Sequence, residues 1–361
     1  MDLGLSEMQT IFRDTVREYL EAKLPFSRVR ELERRGEADA ELWAALHGHG
    51  WLGIAVPAEG GGDGGLLEAG LLVEEVQRRA ALVPVAETIA CAATLHRRGS
   101  SERSAELVHR LLTGAATAVP AVLEADDRFG ALSAEVTADG RLSGEKFFVD
   151  YASFASHHLV AARRDGAVQL FWVDRADPAV VIQETRSLGR TPQARVRYDG
   201  AAAEAVCGAE GLAFLTRLAR ALCAVQAVAC MQQALDMSVA YTAVREQFGR
   251  PIATFQAVQH HAADMAMALE SARFLVYEAL DALERDTATD QQVAIAKAAA
   301  SQAAPEVVML AHQLHGGQGF IEENDLYFFS IRGKERSLAW GTAEECLELI
   351  AEGVDRPEDW L

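Results

Sequence analysis

The sequence has few cysteines, and their spacing does not suit a disulfide framework or a zinc site. Only five occur in 361 residues, and no two of them form a Cys-x-x-Cys pair. This argues against a small disulfide-rich scaffold and against a structural zinc protein. We expect the thiols to be reduced and buried, with no metal bound. The five are Cys91, Cys207, Cys223, Cys230 and Cys346.

Long apolar runs and basic charge are also lacking. No uninterrupted apolar run reaches the ~18 residues that a membrane span needs. The first seven residues lack the basic and apolar regions of a signal peptide. Aspartate and glutamate outnumber lysine and arginine by 53 to 34. That balance argues against nucleic acid or an anionic membrane as a general partner, and we expect a cytoplasmic protein.

Hydrophobic periodicity divides the chain into three regions. Residues 1–113 have helical spacing and open with a capping box of Ser6 and Gln9. Residues 114–207 contain short β-rich runs separated by turn residues, which predicts a small antiparallel β domain. Residues 208–361 contain four helical patterns, which predicts a four-helix bundle. The predicted fold class is therefore α+β, with an N-terminal helical domain, a central β domain and a C-terminal bundle.

The limits of these elements follow from the same patterns. The four C-terminal helices are predicted at Leu212–Arg245, Gln256–Arg285, Thr287–His315 and Glu335–Gly353. The six predicted strands are Ala118–Val122, Ala134–Thr137, Lys146–Val149, His158–Ala162, Val168–Val173 and Val180–Ile182.

Two motifs stand at the ends of the first and third of these helices. Arg-Glu-Gln-Phe-Gly-Arg-Pro-Ile-Ala-Thr-Phe-Gln occupies Arg245–Gln256, and Gln-Leu-His-Gly-Gly-Gln-Gly-Phe occupies Gln313–Phe320. Either could be a plain connection between helices, because glycine and proline end helices. Either could instead grip a pyrophosphate, since arginine pairs phosphate oxygens bidentately and Gly-Gly lets main-chain amides approach closely. The residues alone leave both interpretations open.

Together, in this order and at this separation, the two motifs resemble those of the acyl-CoA dehydrogenase family. These flavoenzymes desaturate acyl-CoA thioesters between Cα and Cβ. The resemblance covers essentially the whole chain, including the helical–β–helical order. It implies that both motifs reach across a subunit interface and hold the adenosine and pyrophosphate end of the FAD in a neighbouring subunit. The implied flavin contacts are Arg245, Gln247, Phe248, Gln256, Gln313, Gly316 and Gly317.

The catalytic base of that family is missing. The reaction requires a carboxylate that takes the α-proton while the flavin accepts a hydride from Cβ. The family's common position for it lies directly before Gly-Thr, twenty residues past the phenylalanine of the Gly-Phe pair, and holds Trp340 here. The family's alternative position, on the long helix before the arginine motif, holds Ala219. The resemblance therefore implies no catalytic residue in this chain.

The stretches that would face this chain's own flavin also depart from the family. A loop resembling Thr-Glu-Pro-Gly-Ala-Gly-Ser-Asp is replaced by Leu-Glu-Ala-Asp-Asp-Arg-Phe-Gly at Leu123–Gly130. The Trp-Ile-Thr run is replaced by Phe148-Val149-Asp150, and a carboxylate there disfavours reduced flavin. Glu344 stands where the family often has a flavin-contacting glutamine, and its charge would repel a pyrophosphate.

These departures make the chain resemble the non-catalytic subunit of heterotetrameric (α2β2) actinobacterial steroid acyl-CoA dehydrogenases. The resemblance implies a homologous catalytic partner subunit, an FAD shared at the subunit interface and an acyl-CoA substrate that binds through the partner. A steroid side-chain CoA is the substrate class that it suggests. Two alternatives stay open: a flavin-free scaffolding or binding homologue, and a flavoenzyme of the same fold with a different reaction.

Other polar residues receive ordinary interpretations. The adjacent pair His260-His261 does not have the i,i+4 spacing of helical metal ligands. His315 is interpreted as a helix-end cation rather than a base. Four glutamates are predicted to lie on solvated faces: Glu33, Glu37, Glu74 and Glu75.

Overall fold

A computed structural model describes residues 4–56, 64–99, 101–125 and 132–354. Along this part of the chain helices are followed by strands and then by helices, so the predicted α+β class is confirmed. The helices before the sheet are α1 (Glu7–Lys23), α2 (Phe26–Arg35), α3 (Ala40–Gly48), α4 (Leu66–Arg78), α5 (Val85–Arg98) and α6 (Glu102–Leu112). The helices after it are α7 (Ala209–Val244), α8 (Gln256–Glu284), α9 (Asp290–His315), α10 (Leu326–Leu338) and α11 (Ala343–Val354).

Ten strands are described, eight of them in one sheet. Those eight are β1 (Ala118–Ala121), β2 (Glu135–Val136), β3 (Arg141–Asp150), β4 (His157–Arg164), β5 (Ala167–Asp174), β6 (Val180–Arg186), β7 (Pro192–Ala202) and β8 (Glu204–Cys207). The short strands β9 (Glu246–Gln247) and β10 (Arg250–Pro251) form a separate pair. Three short 3₁₀ helices complete the description: Trp51–Ala55, Ile252–Thr254 and Gly316–Phe320.

The chain divides into two compact units. One comprises the residues before Arg30, Leu66–Ala81 and the residues from Arg220 onward. The other comprises Arg30–Gly65 and Leu82–Ala219. The boundaries predicted from the sequence, 1–113, 114–207 and 208–361, remain a prediction.

The sheet has the order β6–β7–β3–β2–β4–β5–β8, with β1 added beside β4. Most neighbours are antiparallel, but β1 and β2 both run parallel to β4, so the prediction of a purely antiparallel sheet is wrong there. The reason is connectivity: neither strand is joined to β4 by a hairpin, and only a hairpin forces an antiparallel pair. The core of the sheet includes Val160, Phe171 and Tyr198, which are almost completely buried.

Strand β7 was missed in the sequence although it pairs with both β3 and β6. Ala194, Val196 and Tyr198 point into the core, and exposed charged residues stand between them. Arginine, aspartate and glycine have low strand propensity, so the alternation was hidden by its polar half. Packing against two neighbouring strands outweighs that weak local preference.

The last predicted helix, Glu335–Gly353, is wrong, because two helices occupy that range. Helix α10 ends at Leu338 and α11 begins at Ala343. Between them Trp340 has a φ of 59° and Gly341 a φ of 108°, values that cannot continue a right-handed helix. Five helices rather than four therefore follow the sheet in the described residues.

Three of the four glutamates predicted to be solvated are in fact buried, and Glu37 alone is exposed. On α4, Glu74 accepts a hydrogen bond from the Tyr277 hydroxyl at 2.9 Å and pairs with Arg273 at 3.3 Å. Glu75 pairs with Arg17 at 2.7 Å. Their partners come from α1 and α8, which are distant in sequence, and this is why local charge patterning gave the wrong answer. The third buried side chain is that of Glu33.

Two helices are long and apolar enough to cross a membrane by length and composition alone, Ala209–Val244 and Asp290–Phe320. Their most apolar windows are 78% and 61% buried inside the protein. Core helices pass the same test, so this is weak evidence for a membrane span. All five cysteines are free and buried. Within the described ranges no cluster of three or more metal-ligating side chains occurs.

Candidate functional site

The arginine motif forms a tight hairpin at the end of α7. Strands β9 and β10 pair Gln247 with Arg250. The two turn residues, Phe248 and Gly249, both have positive φ, 54° and 79°, as a two-residue hairpin turn of type I′ requires. The side chain of Phe248 is 93% exposed. A large aromatic in an unfavourable conformation, pointing into solvent, has no use in this chain's own core.

The hairpin leads into the N-terminus of α8. Gln256 is the first residue of that helix and is exposed. The N-cap is Phe255, whose side chain cannot cap the helix, although the Val258 amide donates to the Phe255 main-chain oxygen at 3.0 Å. The guanidinium of Arg250 lies 4.2 Å above the Phe255 ring. This end of α8 therefore offers main-chain donors and a positive dipole to an anion.

Three polar side chains of the two motifs have no partner in the described part of the chain. Arg245, Gln256 and Gln313 make no side-chain hydrogen bond, ion pair or ring contact there. All three are exposed. Gln247 differs, because its Nε2 donates to the main-chain oxygen of Glu246 at 2.7 Å. An unpaired guanidinium between amide side chains can bind an anion that comes from outside the chain.

The glycine motif follows α9 directly. Gly316 has φ 57° and ψ −138°, a combination open to glycine. Gly317 has no positive φ, and a Cβ built on either residue would meet nothing within 4 Å. Both residues are exposed. The backbone conformation therefore accounts for glycine at Gly316, and the surface of both glycines is open to solvent.

The two motifs are brought together by a ring contact that sequence reasoning missed. Tyr241 lies in the last turn of α7, and His315 is the last residue of α9. Their ring centroids are 4.6 Å apart and the planes differ by 19°. The helix ends that lead into the arginine hairpin and the Gly-Gly turn are therefore in contact. The signal was present in the sequence as one ring, Tyr241, a turn before the arginine motif and another, His315, inside the glycine motif.

The common base position lies in the break between α10 and α11. The partly exposed Trp340 accepts a hydrogen bond on its main-chain oxygen from Nε of Arg220 at 3.0 Å. Thr342 and Glu345 form a reciprocal capping box at the start of α11. The turn is therefore well built, but the residue that it presents carries no carboxylate and cannot act as a base.

The alternative position predicted for the base also lacks an acid–base group. Ala219 is 5% exposed within α7, and a methyl group neither takes nor gives a proton. Glu344 is exposed on the first turn of α11. The residues at the two predicted base positions, Trp340 and Ala219, therefore carry no acid–base group.

The stretch predicted to face the flavin ring of this chain has other partners. Residues 126–130 of the predicted Leu123–Gly130 loop lie outside the described residues. Glu124, before them, pairs with the buried Nζ of Lys146 at 2.7 Å. The same oxygen, Oε1, accepts from the Ala134 amide at 3.0 Å, and the other, Oε2, accepts from the Ser133 amide at 2.7 Å. This carboxylate therefore ties the chain before the loop to the chain after it.

Phe148 stands on a bulge of β3 with φ 53°, and 55% of it is exposed. Asp150 accepts a hydrogen bond from Nε2 of Gln193 at 2.8 Å. Phe148 thus has an unfavourable left-handed backbone conformation on a β-bulge. Strained residues of this kind are common at functional sites. The aspartate two residues later is held by a hydrogen bond from the neighbouring strand β7.

The comparison with family models decides the class. The acyl-CoA dehydrogenase N-terminal domain matches residues 6–115, and the acyl-CoA dehydrogenase C-terminal domain matches residues 214–355. The probable acyl-CoA dehydrogenase fadE25 of Mycobacterium leprae is 30% identical over 363 residues, which cover 94% of this chain and 93% of that protein. This chain belongs to the acyl-CoA dehydrogenase family.

Solved structures agree. A variant of the Tcur3481–Tcur3483 steroid ACAD is 30% identical, with a TM-score of 0.90 over 98% of this chain and 99% of the other. The ChsE4–ChsE5 complex from Mycobacterium tuberculosis is 28% identical, with a TM-score of 0.92 over 99% of both chains. The resemblance inferred from the two motifs is therefore confirmed at the level of family and fold.

Members of the acyl-CoA dehydrogenase family bind FAD, and the two helix ends of this chain fit the pyrophosphate of that cofactor. The unpaired Arg245, the uncapped start of α8 and the open Gly316–Gly317 turn supply a cation and main-chain amides. The assignment of these residues to FAD stays a prediction. Sequence reasoning missed Arg250, which lies over Phe255, and Tyr241, which stacks on His315.

Proposed function

We propose that this acyl-CoA dehydrogenase homologue is the non-catalytic subunit of a heteromeric FAD-dependent enzyme. One contrast carries the proposal: the polar side chains of the flavin motifs are intact and unpaired, whereas Trp340 occupies the turn of the catalytic base. A chain that had lost its flavin role altogether would have no reason to retain an unpaired, exposed arginine beside an open Gly-Gly turn. A chain that ran the reaction alone would need a carboxylate.

In this proposal the motifs hold the FAD of the partner subunit. Arg245 would pair with a phosphate through its planar fork, and the amides of Gly316–Gly317 and of the first turn of α8 would donate to the other phosphate oxygens. Gln256 and Gln313 would position the adenosine end. When bound, FAD supplies the hydride acceptor for desaturation of the acyl-CoA. This chain binds and orients, while the partner removes the α-proton.

The proposed partner is a homologous catalytic subunit that carries the carboxylate base. Support comes from the two structural neighbours, one described as a complex of two named proteins and the other by a paired name. The neighbour described as a steroid ACAD also supports a steroid side-chain CoA as the substrate of the pair. We propose a cytoplasmic location, supported by five free and buried thiols.

The test is flavin content and activity of this chain alone and of its complex. The chain would be purified by itself and together with the homologous subunit copurified from the native organism. We expect no FAD and no turnover in the isolated chain, and one FAD for each pair of unlike chains in the complex. Turnover of an acyl-CoA by the isolated chain, measured with an artificial electron acceptor, would contradict the non-catalytic role. A complex without any flavin would favour a scaffolding protein instead.

A further inference from the structure

The stacked pair Tyr241–His315 connects the two halves of the flavin clamp, by which we mean Arg245 and the Gly316–Gly317 turn. Tyr241 stands one helical turn before Arg245, and its main-chain oxygen accepts the Arg245 amide at 2.9 Å. His315 is covalently joined to Gly316. The rings lie 4.6 Å apart and nearly parallel. A displacement of either ring therefore moves one half of the clamp relative to the other.

The histidine ring is fixed in its orientation. His315 is 5% exposed, and its Nδ1 bonds the main-chain oxygen of Ala311 at 2.8 Å. Since a carbonyl oxygen only accepts, Nδ1 carries the proton and donates. The ring is thus held to its own helix by a hydrogen bond and to α7 by the stack.

The glycine turn is held on one side, where Asn324 donates to the Gln318 oxygen at 3.1 Å and His312 stacks on Phe320, but its outer side is open. A Cβ on Gly316 or Gly317 would meet no atom within 4 Å, so the turn is not packed against a neighbouring element there. Arg245 likewise has no side-chain partner in the described residues. The separation of the arginine from the glycine amides therefore depends on how the ends of α7 and α9 are held together, and the stack is a direct contact between those ends.

We propose that Tyr241 and His315 are positioning residues for FAD: they touch no reacting atom but hold the arginine and the glycine amides at the separation that a pyrophosphate requires. This inference rests on the proposed function. A stacked aromatic pair is worth a modest free energy beyond its buried area. Loss of the stack should therefore weaken FAD binding about three- to tenfold rather than abolish it.

The experiment measures the dissociation constant for FAD of the complex with the partner subunit, from the recovery of flavin fluorescence on release. Tyr241→Leu and His315→Leu remove a ring and keep apolar volume, and both should weaken binding. Tyr241→Phe keeps the stack and should bind like the wild type. Phe328→Leu is the matched control, because Phe328 is buried and stacks on Phe26 at 5.7 Å in the same unit. It should lower the thermal midpoint without changing the affinity for FAD.

Different results would contradict the positioning role of the stack and the flavin clamp itself. If Arg245→Ala binds FAD like the wild type, the clamp is wrong. If Arg245→Ala weakens binding and the leucine variants do not, the stack alone is wrong. The combination of Arg245→Ala with Tyr241→Leu should be less than additive, because the stack acts through the arginine. Should the buried His315→Leu not fold, the partly exposed Tyr241 carries the test, and unchanged affinity in folded Tyr241→Leu overturns the proposal.

Discussion

Arg220 donates through Nε to the main-chain oxygen of Trp340 at 3.0 Å and so holds the turn that the sequence predicts as the position of the catalytic base. Trp340 already has a left-handed φ, and a Cβ on Gly341 would lie 3.6 Å from the Arg220 guanidinium. The hydrogen bond uses a main-chain atom, so it does not depend on the side chain at this position. The shape of the turn should therefore survive replacement of the tryptophan.

Trp340→Glu should fold but should not create an active dehydrogenase in the isolated chain. A positioned general base is worth about 10²–10⁴-fold in rate, but it acts only where a hydride acceptor is also bound. The stretch that would face a flavin in this chain carries Phe148 and Asp150 instead of the family's residues. Acyl-CoA turnover with an artificial electron acceptor is the measurement.

Trp340→Gln is the control for that variant, because it has the same size change without a carboxylate. Both variants should have thermal midpoints close to each other and equal background turnover. If the glutamate variant alone turns over an acyl-CoA, the idea that this chain lacks more than its base would have to be abandoned.

Arg245→Ala should lower the flavin content of the complex with the partner, and with it the partner's activity. The guanidinium has no partner in the described residues, so its removal leaves no unpaired group and should leave the folded chain intact. Arg245→Lys should restore only part of the flavin, since an ammonium cannot form the bidentate pair. Flavin absorbance per mole of complex measures the effect.

Arg285→Ala is a matched control for the charge that Arg245→Ala removes. Arg285 is exposed at the end of α8 and pairs with Asp281 on the same helix. Its loss should leave the flavin content unchanged. Equal flavin in the wild type, Arg245→Ala and Arg285→Ala would show that the arginine motif is present for another reason.

The sequence predicted the class and the motif residues but not what supports them. Helical and β periodicity located α7, α8 and α9 within a few residues, because each has a long, locally consistent pattern. The break at Trp340 and the burial of Glu74 could not be predicted in this way. Both depend on partners distant in sequence, Arg220 in one case and Arg273 and Tyr277 in the other. Such contacts leave no local periodicity.

Lys146→Met should strongly destabilise the unit that contains the sheet. Burial by itself would raise the pKa of Glu124, but the hydrogen bonds from Lys146 and Ser133 lower it below its ordinary value. Glu124 is thus charged at neutral pH, and removal of the lysine leaves a buried carboxylate without its cation. Loss of one partner of a buried pair costs about 3–5 kcal/mol. Urea unfolding should show a loss of this size.

The double variant Lys146→Met with Glu124→Gln should recover part of that loss, because it removes the unpaired charge together with its partner. The recovery is only partial because Ser133 and Ala134 donate to different oxygens of Glu124, and the single glutamine oxygen can replace only one of them. The loss of unfolding free energy in the double variant could instead equal the sum of the losses in the two single variants. In that case the two side chains do not interact and the ion pair is unimportant.

His158 should make the same unit less stable as the pH falls below neutrality. Burial lowers the pKa of His158 from 6.5 to about 4. Its Nε2 donates to the Ala152 oxygen at 3.0 Å, so Nδ1 of the neutral ring accepts from the Tyr198 hydroxyl at 2.9 Å. Arg175 and His157, which face the ring, also disfavour its charged form.

The sign follows from proton binding. Between pH 6.5 and about pH 4 the unfolded chain holds a proton on this histidine that the folded chain does not. The stability from the neutral ring is therefore complete above pH 6.5 and is lost as the pH falls through this window, by about 2 kcal/mol at pH ~5. His158→Gln should be less stable than the wild type at pH ~7.5 because a buried hydrogen bond is disturbed. Since glutamine does not titrate, the difference in unfolding free energy should shrink by about 2 kcal/mol at pH ~5.

His96→Gln, a change at an exposed histidine, serves as the control. A difference between the wild type and His158→Gln that stays constant or grows on acidification would mean that His158 is protonated in the folded chain, and the hydrogen-bond assignment to Tyr198 would have to be reversed.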